Sequence, residues 1–136
     1  MDTADAFAAI ALGAVACDGV LDKDEAHALR SQLECRAPYN QKSESEMGEL
    51  FDRLLSVLRQ KQGLNNLVDE ALPALTVRQQ ETALALAAQL VHADRVVAQE
   101  ERDFLDTLCQ RMAIPDGDAQ DIVAAIMTLN RDILAS

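Results

Sequence analysis

The side chains in this chain with chemistry to offer are carboxylates, and their spacing repeats. Asp18 is followed seven residues later by Glu25, and Asp94 is followed seven residues later by Glu101, with the two pairs 76 positions apart. Asp22 and Asp24 crowd the first pair. At the start of a helix, such groups satisfy backbone N–H donors and complement the helix dipole. As hard oxygen donors they also suit Ca²⁺, Mg²⁺ or Mn²⁺. Capping alone accounts for Asp22 and Glu25, and Asp18 could serve the N–H groups of the helix that follows it. An EF-hand is excluded, because Asp18, Asp22 and Asp24 lack the D-x-D-x-D-G run and the glutamate at its twelfth position.

Other chemistry finds little support. His27 falls on a polar helix face, and His92 maps onto Ala16 in the other copy, so no CxxC or HxxxH pair supports a zinc site. Cys17, Cys35 and Cys109 sit at apolar positions and are expected to pack in the core, as are Met47, Met112 and Met127. No Ser/His/Asp or Cys/His arrangement recurs with the repeat, and no glycine-rich loop is present to cradle a phosphate. The chain is not expected to be an enzyme.

The elements that must position these carboxylates are helices. Residues 9–29 and 85–105 share seven identities: Ala9/Ala85, Ala11/Ala87, Val15/Val91, Asp18/Asp94, Val20/Val96, Glu25/Glu101 and Leu29/Leu105. A first helix is expected over residues 4–17, with Phe7, Ile10, Ala11, Ala14 and Val15 on one buried face and Gly19 closing it. Asp22 to Glu25 is a capping box for a second helix, which Pro38 stops. Ser43 and Glu46 cap a third over 44–60, ended by Gly63, and a short fourth covers 66–72. Thr76 and Gln79 cap the fifth, where the repeat begins; the sixth covers 99–112. In the seventh, Val123, Ile126, Met127, Ile133 and Leu134 overlie Met47, Leu50, Phe51, Val57 and Leu58, with Leu54/Asn130 the single mismatch.

The expectation is therefore an all-α fold of about seven helices in one domain, 1–136. Two pseudo-symmetric three-helix units, 7–58 and 83–134, would be joined by a short connecting helix. Neither unit of about 50 residues is large enough to bury its stripes alone, so the two must share a core.

Composition narrows the partners. Of 136 residues, 49% are hydrophobic but only 3% aromatic, which favours closely packed helices rich in Ala and Leu. The net charge of −11 argues against nucleic acid, whose phosphates demand a basic face, and is compatible with cations or basic proteins. Three cysteines without a CxxC pair point to reduced thiols in a cytoplasmic setting. The apolar run 6–17 follows Asp2 and Asp5 where a signal peptide is positive, and it is too short to span a bilayer.

With A-C-D-G-V-L-D-K-D-E in the first copy, A-D-R-V-V-A-Q-E-E in the second and a closing M-A-I-P, the chain resembles the TerB family of tellurite-resistance proteins over nearly its whole length. The resemblance implies a seven-helix fold with internal pseudo-symmetry and a role in tellurite resistance or general stress response. It also implies a divalent-cation site of acidic residues, which here would be Asp18 and Glu25, with Asp94 and Glu101. Arg95 stands where the family pattern has Gly, and its guanidinium could neutralise Asp94. The competing expectation is an acidic helical interaction module without metal, docking a basic or membrane-associated protein partner.

Overall fold

The computed structural model describes residues 1–18, 20–93 and 96–134. Among them are seven α-helices, and no strand is present. They are α1 (Thr3–Val15), α2 (Lys23–Glu34), α3 (Glu44–Leu58), α4 (Gly63–Ala71), α5 (Val77–His92), α6 (Gln99–Arg111) and α7 (Asp118–Leu129). Gly19, expected to close the first helix, lies outside the described residues, as do Asp94 and Arg95.

The helices begin where short polar side chains can hold their first N–H groups. Asp2 caps α1 by accepting from the Asp5 N–H at 2.7 Å. Complete capping boxes form at Asp22/Glu25, Ser43/Glu46 and Thr76/Gln79, each with the side chains bonded reciprocally to the backbone. Such a cap is typically worth about 1 kcal/mol.

Helix α1 is the hub. The sequence periodicity gives it one buried face, but every residue from Ala6 to Val15 is buried. A helix that is apolar all round belongs in the interior, and α1 packs against α5 and α4 above all, with α2, α3 and α6 also in contact. Its alanines and Gly13 allow this close approach. A Cβ on Gly13 would lie 2.6 Å from Cζ of Phe104 on α6. The short connecting helix α4 is a core element too, with Leu67, Val68 and Ala71 buried.

Gly63 does not end the third helix; it opens α4. Gln62 before it takes the left-handed conformation at φ 56°. Gly63 has no room for a side chain, since an added Cβ would lie 2.0 Å from the Leu58 carbonyl oxygen.

The largest departure concerns α7. It ends at Leu129, so Ile133 and Leu134 fall beyond it and are 87% and 89% exposed, while Met127 is 47% exposed. Val123 and Ile126 are only partly buried against the core. Asn130 marks the stop: its side-chain amide donates to the Ile126 carbonyl and to Gln89 Oε1, at 2.9 and 2.8 Å. Cys35 is likewise exposed, not in the core, while Cys17 and Cys109 are half-buried.

One buried polar side chain escapes sequence patterning. Gln80 donates to the carbonyls of Leu72 and Leu75 and accepts from the Ala113 N–H at 2.7 Å, which ties the start of α5 to the chain after α6.

Candidate functional site: an acidic cleft between the two helix turns

The end of α1, the first turn of α2, the end of α5 and the first turn of α6 enclose a cavity of about 510 Å³. Asp18, Asp22, Asp24 and Glu25 line it from one side, Glu100 and Glu101 from the other, with Val15, Ala28 and Leu90 as apolar floor. The fold thus brings Asp18 and Glu25 onto one cleft with Glu101, which lies 76 residues after Glu25. Asp94 lies outside the described residues.

Each carboxylate has local duties. Asp18 Oδ1 accepts from the Val20 N–H at 3.0 Å, so it closes its own turn and does not serve the first turn of α2. Glu25 Oε1 reaches back to the Asp22 N–H at 3.4 Å, and Asp22 Oδ1 accepts from the Glu25 N–H at 2.8 Å. Glu101 Oε1 accepts from the Ala98 N–H at 3.0 Å, the same reach-back in the second copy. Each of these contacts leaves carboxylate oxygen capacity unused.

The donors fit a hard divalent cation in kind, since among the described residues every charged group lining the cleft is a carboxylate. They are not gathered for one: among the described residues, no three His, Cys, Asp or Glu side chains converge at a distance that could hold a metal ion. His27 is exposed on α2, and His92 Nδ1 lies 2.9 Å from the Ala88 carbonyl within its own helix.

Electrostatics registers the crowding. Burial, the hydrogen bond to Asp22 and the charges of Asp22 and Asp18 push the Glu25 carboxyl up from 4.5 to about 7. Asp22 moves the other way, held down by the Glu25 backbone N–H and by the side-chain bond to Glu25. Cys17, on the same cleft, is raised to about 11 by burial and by the charges of Glu101 and Asp18. These charges and its burial favour the protonated thiol at neutral pH. Neither Cys17 nor Glu100 was assigned to a cleft by the sequence; their adjacency to Asp18 and Glu101 was the available signal.

The Glu25 shift predicts a pH dependence. The folded chain keeps the Glu25 proton to higher pH than the unfolded chain does. That stabilisation is complete below about 4.5 and is lost as pH rises through about 7. Glu25→Gln preserves the reach-back to the Asp22 N–H and removes the titration. Urea midpoints of the unmutated protein should therefore decline from about pH 5 to about pH 7.5, and those of the variant should decline less. Parallel profiles would show that Glu25 titrates normally.

No family model matches the chain, and it matches no curated protein and no solved structure.

Proposed function

We propose that the protein is a TerB-like stress-response protein that binds a divalent cation in the cleft between its two helix turns. The observation that carries this reading is the meeting of Asp18, Glu25 and Glu101, from both copies of the motif, on one cavity. Water ligands would complete the shell of a Ca²⁺, Mg²⁺ or Mn²⁺ ion held by so dispersed a set of carboxylates. A cytoplasmic setting is part of the proposal, supported by three unbridged cysteines. No helix of the described residues is long and apolar enough to cross a membrane.

Titration calorimetry and melting curves with Ca²⁺, Mg²⁺ and Mn²⁺ test this. Ion at about 100 times its dissociation constant should stabilise the fold by roughly 2.7 kcal/mol, a rise on the order of 5–15 °C. Asp18→Asn should abolish the rise. Asp22→Ala should cost about 1 kcal/mol with or without ion, because its side chain caps α2. Superimposable melting curves with ion and with chelator would end the cation reading.

The second reading, an acidic module that docks a basic protein, is favoured by the dispersal of the carboxylates and by the exposed Met127 and Leu129 of α7. Its signature is partner binding that weakens with salt and ignores divalent ions.

A further inference from the structure

A second cavity, of about 420 Å³, lies at the other end of α1. Thr3, Ala4 and Phe7 from the start of α1 and Arg78, Gln79 and Thr82 from the start of α5 line it, so both helices begin here and both end at the acidic cleft. The segment after α2 closes it with Arg36, Pro38 and Tyr39.

Its walls are apolar and fixed. The Phe7 and Tyr39 rings pack with centroids 6.3 Å apart, and the Tyr39 hydroxyl is committed to the Ala4 carbonyl at 2.5 Å. The Arg36 guanidinium lies over Phe7, 5.5 Å from the ring centroid, which holds it at the cavity.

The charged groups on this cavity are both cationic, Arg36 and Arg78. Arg36 Nε is buried without a hydrogen-bond partner. Among the described residues, ion pairs occupy Arg30, Arg53 and Arg111, and neither Arg36 nor Arg78 has an acidic partner. Gln79 Oε1 takes the Thr76 N–H at 2.9 Å, which leaves its NH₂ as a further donor. The hydroxyls of Thr3 and Thr82 give their protons to the carbonyls of Ala74 and Arg78, so they present only neutral oxygens to the cavity. In a chain of net charge −11, two arginines without acidic partners on one apolar-walled cavity call for an anion. A buried donor left unmatched is costly, and an Arg fork pairs a carboxylate bidentately. The apolar walls favour an anion that carries an apolar body over an inorganic one. A volume of this size suits a small molecule.

We propose that this cavity binds a small organic carboxylate, its charged group held by Arg36 and Arg78 and its apolar body laid against Phe7, Pro38 and Tyr39. The site is separate from the acidic cleft and stands independently of the cation reading.

The test is titration of the full chain with phenylacetate and octanoate, each set against its own neutral amide, and with inorganic phosphate, followed by calorimetry and ¹H–¹⁵N shifts. At least one carboxylate should bind one-to-one and outbind its amide by roughly tenfold or more, the scale of a charge-assisted hydrogen bond. The shifts should centre on residues 3–7, 36–39 and 78–82. Arg36→Gln and Arg78→Gln should each weaken binding by about tenfold, and Arg102→Gln, at an exposed arginine of α6, should leave it unchanged. Arg78 is exposed on α5, so its variant reports binding even if loss of the Arg36–Phe7 contact destabilises the other. Failure of both carboxylates to bind, amides that bind as well, binding indifferent to Arg78→Gln, or phosphate binding more tightly than either carboxylate would each overturn the proposal.

Discussion

Gly63→Ala should cost the protein at least ~3 kcal/mol, the upper end of what overpacking usually does. The added Cβ would stand 2.0 Å from the Leu58 carbonyl oxygen, 2.4 Å from its carbon and 2.6 Å from the Val57 carbonyl oxygen. All three are backbone atoms, so no side-chain rotation relieves the clash. The end of α3 must move instead, and α4 with it. Because α4 buries Leu67, Val68 and Ala71 against the core, that displacement reaches α1. Gly48→Ala is the matched control. It lies within α3 with nothing within 4 Å of the new atom, and alanine's better helix propensity should stabilise by up to about 1 kcal/mol. Urea unfolding of the two variants gives the comparison, and equal midpoints would mean that the turn between α3 and α4 is drawn wrongly.

Leu29→Ala and Leu105→Ala should each cost about 2–5 kcal/mol. The two leucines occupy matched positions on α2 and α6, at 0% and 4% exposure, and removal of either leaves a cavity that the surrounding helices cannot fully close. Leu129→Ala, at 75% exposure on α7, should stay within about 0.5 kcal/mol. Denaturant midpoints for the three variants decide the matter. A Leu29 or Leu105 variant as mild as the Leu129 one would show that the inner face of that helix has been misassigned.

What the sequence makes legible here is what local chemistry determines. The capping boxes at Asp22, Ser43 and Thr76 are three-residue relations, and each forms as its spacing requires. The all-helical class follows from the apolar periodicity. Gly63 misleads because glycine serves equally as a helix stop and as the only residue small enough for a tight entry; only the nearby carbonyls decide. The matching of the seventh helix to the third overran because a pattern of apolar residues does not reveal whether a facing surface exists. Ile133 and Leu134 keep the spacing but meet no core. At the cleft, the periodicity placed Asp18, Glu25 and Glu101 at corresponding turns, and the fold brought them together. The opposite cavity has no period to betray it. Arg36, Phe7 and Arg78 are far apart in the chain and meet through the packing of α1 on α5.

The enclosure of α1 sets an order on assembly. Its neighbours α4, α5 and α6 are encoded some 50 to 100 residues after it. During synthesis, this alanine-rich helix can be covered only in part by α2 and α3 until most of the chain has emerged. Contacts of such long sequence separation form late and slow folding, and the waiting surface is open to wrong partners. Once covered, α1 has no route to solvent short of global unfolding. Its central amides should be among the last in the molecule to exchange with water.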